Sequence, residues 1–198
     1  WGGWNFENNY ETLSRLAEAY PPSKSKGRGG QSMPEAVWER ESEIAEVISK
    51  ILNTRSNLIV AGPPGTGKSA VLRQAIKRIS SRSRKQQLGL TFWKMMPQRI
   101  TASSKYLGEW EEKAEQLVEE LNAANGIIWV ENLVQLLEAG GEGPEDSVAA
   151  FLMAFLEQGK LQMIGEATPQ ELESMRRSLP GFAEAFQVVN LPELSEQP

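Results

Sequence analysis

Gly62-Pro63-Pro64-Gly65-Thr66-Gly67-Lys68-Ser69 sets glycines, a lysine and a hydroxyl at the spacing G-x-x-x-x-G-K-[ST]. Glycines at these positions let the backbone curl until successive N–H groups point inward, which makes a concavity for an anion. The preceding run "NLIVAG" reads as a short buried strand and the following residues, from Lys68 to about Ile79, as a helix whose N-terminal dipole favours negative charge. On this pattern Lys68 reaches the β- and γ-phosphates of a nucleotide, the Ser69 hydroxyl takes a Mg²⁺ ion, and Ala70 completes the phosphate-binding set. The same octet without a ligand would be a Gly-rich strand-to-helix turn, and the flanking strand and helix argue against that.

A second chemical candidate is the apolar run "GIIWV", which ends in Glu131-Asn132. A phosphate-hydrolysing domain ends a strand in Asp-Glu at this place, so the pair raises the question of turnover. Other chemistry is bounded by composition. The chain has no Cys and no His, which removes disulfides, thiolates, imidazole bases and imidazole metal ligands, and leaves carboxylates, Lys, Arg, hydroxyls and backbone amides. The formal net charge is −5, and the basic residues are dispersed apart from Arg82, Arg84 and Lys85, so no nucleic-acid partner is expected. No apolar run approaches a membrane span and the N-terminus has no signal-peptide pattern, so a cytoplasmic piece of a longer protein is expected, with no membrane contact.

The elements that position these residues follow from periodicity. At 198 residues the chain holds one α/β domain with a small appendage. Residues 1–20 are expected to be an N-terminal helical segment, with Phe6, Tyr10, Leu13, Leu16 and Ala17 on one face. Residues 21–34, rich in Pro, Gly, Ser and cations, read as a flexible linker, and residues 35–198 as the nucleotide-binding unit. Pro34 opens a helix carrying Ile44, Val47, Ile48 and Ile51 on a stripe. "SSRSRKQQ" reads as a polar loop. Strands at "NLIVAG", "LGLTFWK", "GIIWV", "KLQMIGEA" and "FQVVNL" alternate with helices, among them Trp110 to Asn122, 146 to 158 and Pro169 to Ser178. That alternation predicts a parallel five-stranded sheet sandwiched between helices, with ligands beyond the carboxyl ends of the strands. Trp93, Trp110 and Trp129 fall on buried faces, and "EAGGEGPED" reads as a solvated loop.

With the loop placed, the chain from about Val37 to Ser195 resembles the first nucleotide-binding domain of the Clp-type AAA+ unfoldases, the ClpA, ClpB and ClpC group. "VWERESEI" is similar to the family's V-I-G-R-E-x-E-I, and "NLIVAGPPGTGKSAVLRQAIKRI" to its Walker A strand, loop and helix. "ASSKYLGEWEEKAEQLVEEL" is similar to the segment that carries the pore loop, "SVAAFLMAFLEQGKLQMIGEATPQEL" to the helix and the strand I-G-A-T-T, and "LPGFAEAFQVVNLPELS" to the segment that carries the paired arginines. The resemblance implies a P-loop NTPase fold of the AAA+ large-subdomain type, without the helical lid, binding ATP and Mg²⁺. It also implies a ring oligomer, hexameric in the full-length protein, that handles polypeptide substrates, with Lys105, Tyr106, Leu107 and Gly108 at the positions whose aromatic grips an extended chain. A turn with Tyr106 half buried is the plainer alternative.

The resemblance also marks departures. Ungapped, Glu131 takes the place of the Mg²⁺-linked Asp and Asn132 that of the Glu which polarises the attacking water; a one-residue slip would instead make Glu131 the base. An Asn cannot accept a proton, and losing a general base costs about 10²–10⁴-fold in rate. Glu184 and Ala185 stand where the family has arginines that reach a neighbour's site. Thr168 is the candidate sensor hydroxyl, and Glu166 stands where the family has Ala. The sequence therefore predicts an ATP-binding domain with weak or absent hydrolysis. The rivals are an active ATP-hydrolysing unfoldase with Glu131 as base, and a scaffold module that has lost nucleotide.

Overall fold

The structure is a computed structural model that describes residues 10–22, 38–102, 104–106 and 108–194. Phe6, Pro34, Val37, Leu107 and nearly all of the expected linker lie outside these residues.

Among the described residues the sheet has six strands, one more than the five that the sequence predicts. In chain order they are β1 (Ala17–Tyr20), β2 (Asn57–Ala61), β3 (Thr91–Met95), β4 (Gly126–Val130), β5 (Met163–Ala167) and β6 (Phe186–Asn190), arranged as β1-β3-β4-β5-β2-β6. All neighbours run parallel except β1, which pairs antiparallel with β3, Ala17 opposite Met95 and Tyr20 opposite Phe92. The extra strand comes from residues expected to be helical. Within the described part of that segment only Glu11–Leu16 is helix (α1); the chain then turns extended at Ala17. Two interactions invisible to local periodicity account for this. A Glu120 carboxylate from a distant helix accepts hydrogen bonds from the first-turn amides Thr12 N (3.2 Å) and Leu13 N (2.6 Å), which fixes where α1 begins. Tyr20 then packs edge-on against Trp129 at 5.3 Å, which rewards continuing along the free edge of β3.

The inner strands are apolar on both faces, as parallel strands covered on both sides must be. On one face, α2 (Glu41–Leu52) and α3 (Lys68–Gln86) bury Ile44, Val47, Val71, Leu72 and Ile76 against Leu58, Val60, Ile127, Trp129 and Ile164. On the other, α4 (Pro97–Ala102), α5 (Glu109–Ala123), α6 (Val134–Glu138), α7 (Val148–Glu157) and α8 (Pro169–Ser178) cover Ile59, Ile128, Val130 and Met163 together with Ile100, Ala114, Leu117, Leu136, Leu152 and Met175. Among the described residues no helix is long and apolar enough to cross a membrane.

α3 runs seven residues past the expected Ile79, through the stretch read as a polar loop. Its apolar stripe ends, but Arg, Lys and Gln are good helix formers. Ser83 is buried, its hydroxyl accepts from Leu90 N at 3.0 Å, and the helix stops only where Gln87 turns left-handed (φ 55°) and Leu88 N donates to Ser83 O.

Gly165, at the centre of β5, fixes how the chain leaves β4. A Cβ there would lie within 2.7 Å of three carbon atoms of the Leu133 side chain. Its absence lets Leu133 lie flat over the sheet, with Leu133 N donating to Glu166 O (3.4 Å), and so sets the place of Glu131 and Asn132. Gly165→Ala is therefore expected to destabilise the fold by about 1–3 kcal/mol through overpacking, measured by urea denaturation. An unchanged midpoint would mean that Leu133 has room to move.

Candidate functional site

The phosphate loop leaves the carboxyl end of β2 and enters α3, and three features hold its shape. Gly65 (φ 80°) and Gly67 (φ 88°) occupy the left-handed region that glycine adopts without steric cost. Gly62 lies where a Cβ would meet Leu191 O and Thr66 Oγ1 at 2.7 Å. Thr66 Oγ1 donates to Pro63 O at 2.8 Å, and Gly62 N donates to Ala167 O at 3.2 Å, which ties the loop to the end of β5.

A fourth support, Arg40, is not assigned a role by the sequence. Its guanidinium is buried, donating from Nη2 to Thr66 O (3.3 Å) and Pro192 O (2.6 Å) and from Nη1 to Glu43 (3.3 Å). It thus pins the loop to the segment after β6. The signal available was the Arg in "VWERESEI", a motif whose resemblance carried no geometry.

Lys68 Nζ rests on Gly62 O (2.9 Å) and Pro63 O (3.0 Å), at the loop itself. Ser69 Oγ donates a short hydrogen bond to Glu166 Oε1. A curled backbone with two left-handed glycines, a loop-bound ammonium and a hydroxyl at the helix start is a donor set that fits a polyphosphate with its divalent cation.

The expected catalytic pair is arranged less simply. Glu131 is half exposed and ion-paired with Lys94 Nζ at 2.8 Å; the same Nζ stands 5.2 Å from the centre of the Trp129 ring. The carboxylate that touches Ser69 is Glu166, whose other oxygen accepts from Trp129 Nε1 at 3.2 Å. Among the described residues Asn132 Oδ1 has no hydrogen-bond partner; it is buried on the wall of a cavity of about 260 Å³ shared with Lys94, Glu131 and Gln135. Thr168 follows β5 directly and caps α8 in a reciprocal box: Oγ1 accepts from Glu171 N (3.2 Å) while Thr168 N donates to Glu171 Oε2 (3.0 Å). Its hydroxyl oxygen is thus engaged in the cap.

The remaining expected positions lie apart from the loop. Glu184, at the end of α9 (Pro180–Glu184), is exposed. Tyr106 is 78% exposed, against the half-buried alternative. Its backbone is held, because Glu109 Oε2 accepts from Lys105 N (2.6 Å) and Tyr106 N (3.3 Å), and Gly108 (φ 88°) turns the chain into α5. These amides hold the Glu109 carboxyl below its ordinary value, that of Lys105 most.

A mostly parallel sheet with a phosphate loop at its carboxyl edge defines a P-loop α/β domain. Residues 58–186 match the family described as ATPase family associated with various cellular activities (AAA), and the chain belongs to that family. It is 30% identical over 171 residues to the chaperone protein ClpB of Aquifex aeolicus, covering 84% of this chain and 17% of that protein. It is 29% identical over 192 residues to the Clp protease ATP-binding subunit ClpC of Staphylococcus saprophyticus, covering 96% and 23%. The chain thus spans about a fifth of the length of these relatives. Among solved structures, a Saccharomyces cerevisiae Hsp104–ADP complex is similar with a TM-score of 0.61 at 25% identity, over 80% of this chain and 22% of that one. An Hsp104–casein complex in its extended conformation is similar with a TM-score of 0.71 at 24% identity, over 93% and 31%.

Burial pushes the Glu166 carboxyl above its ordinary value; the hydrogen bonds from Ser69 and Trp129 and the Lys68 charge oppose this in part, and the Glu131 charge adds to it. The unfolded chain then releases this proton at lower pH than the folded one, so the group's contribution to stability falls as pH rises from the ordinary carboxylate range through the raised value. In metal-free buffer the stability of wild type relative to Glu166→Gln is expected to decline over that window and to recover on acidification. Urea titrations at a series of pH values measure it, and a pH-independent gap would refute it.

Proposed function

We propose that this domain binds Mg²⁺-ATP through Gly62–Ala70, hydrolyses it slowly or not at all, and serves as a nucleotide-dependent element of a Clp-like ring that contacts polypeptide. The reading is carried by the contrast between a fully formed phosphate loop and Asn132, the residue that the ungapped resemblance sets at the place of the water-polarising carboxylate. An amide there has no basic site for a proton, and among the described residues its buried Oδ1 has no partner. Membership of an ATPase family and the resemblance at 25% identity to a structure solved with ADP support nucleotide binding. Slow turnover is supported by Asn132 and by Glu184 and Ala185 at the arginine positions. Contact with polypeptide is supported by the exposed Tyr106 ring on a held backbone and by relatives named as chaperones. Ring assembly, with six copies as the expected number, rests on the resemblance.

Calorimetric titration with Mg²⁺-ATP should show saturable binding that Lys68→Ala abolishes. In the assembled full-length protein, Asn132→Glu should raise turnover by about 10²–10⁴-fold, the worth of a general base. Wild-type turnover already at that level, lost in Glu131→Gln, would establish the active-unfoldase reading instead. Assembly unchanged by Lys68→Ala, with no binding by wild type, would establish the scaffold.

A further inference from the structure

The acidic residue closest to the start of α3 does not come from the strand end where the sequence points. We propose that Glu166 is the carboxylate that positions the Ser69 hydroxyl for the nucleotide's divalent cation, a role moved from the end of β4 to the penultimate residue of β5. The inference rests on the nucleotide-binding reading and goes beyond it by assigning the cation's supporting carboxylate.

A serine hydroxyl has one proton and two lone pairs. Here the proton goes to Glu166 Oε1, which leaves the lone pairs free for a cation and orients the oxygen that would hold it. Glu166 is itself held: Trp129 Nε1 donates to Oε2 from β4, so the carboxylate bridges α3, β4 and β5 and has little freedom to turn. The sheet register places it there. Glu166 pairs with Val60, two residues before the phosphate loop, and Ala167 accepts from Gly62 N, so the carboxylate lies on the flank of the strand that feeds the loop.

The environment of Glu166 agrees with this role. It is 5% exposed, and among the described residues its direct hydrogen-bond donors are two neutral groups, a hydroxyl and an indole N–H. A buried carboxylate so placed is costly, the nearby Lys68 charge offsets that cost only in part, and a divalent cation on Ser69 would add positive charge beside it. Glu131 has the opposite setting: it is half exposed and already paired with Lys94. A carboxylate that acts through a cation's ligand is a positioning residue, and removing such a residue typically weakens metal affinity by about 10–100-fold.

The test is calorimetric titration of the chain with the β,γ-imido analogue of ATP, in EDTA and across a Mg²⁺ series, for wild type, Glu166→Gln and Glu131→Gln. Glu166→Gln is expected to bind the analogue in EDTA at least as tightly as wild type, because a negative charge beside the phosphates is removed, and to need about 10–100-fold more Mg²⁺ to reach the Mg²⁺-dependent affinity; Glu131→Gln is expected to shift the Mg²⁺ requirement less than Glu166→Gln. Glu166→Ala gives the same comparison with a smaller side chain. Glu166→Gln added to Ser69→Ala should bring no further shift, because Glu166 acts only through that hydroxyl, whereas additive shifts would overturn the proposal. A Glu166 variant that keeps the wild-type Mg²⁺ requirement, or a shift at least as large in Glu131→Gln, overturns this inference alone. Absence of wild-type binding in both Mg²⁺ and EDTA overturns the nucleotide-binding reading and this inference with it.

Discussion

The hydrogen bonds of one buried carboxylate join the parts of the molecule that matter most to its chemistry. Glu166 receives Ser69 from the start of α3 and Trp129 from β4, while its own strand lies between β2 and β4. An ionised carboxylate in such a place is a standing cost to the fold, so the surrounding geometry must be kept tight to offset it. Gly165 next to it, with no side chain, lets Leu133 close over the strand, and Trp129 fills the opposite side with an aromatic body and a polar tip. The loop is braced independently at its far side by the buried Arg40.

The two helical layers do different work. The α2 and α3 side supports the phosphate loop, and Arg40, just before α2, reaches the same loop, so packing on this face is transmitted directly to the site. The opposite layer, with α5 and α7, carries the Tyr106 turn. Its backbone is set by Glu109 while the ring stays in solvent, so rigidity at the base is combined with a free side chain.

Much of this was legible in the sequence where chemistry and spacing coincide. The octet from Gly62 to Ser69 requires a left-handed backbone at Gly65 and Gly67, and Thr168-Pro169-Gln170-Glu171 spells a capping box. Five strands followed from buried apolar runs. What escaped depended on partners distant in sequence: α1 begins where Glu120 caps it, β1 forms where the β3 edge and Trp129 accept it, and α3 continues because Ser83 is buried against Leu90. The site shows the same division. Reading along β4 directs attention to Glu131 and Asn132, whereas contact with Ser69 is decided by the neighbouring strand, and an acidic residue inside "MIGEA" gives no local sign of which helix it faces.

The four residues of β1 also alter what can happen at the margin of the sheet. Without them β3 would present a row of unpaired amides and carbonyls, an open template for another chain. With them the margin is short, runs against the direction of its neighbour, and carries Glu18 in an ion pair with Arg99. Such a short, charged border discourages strand exchange between molecules along this flank.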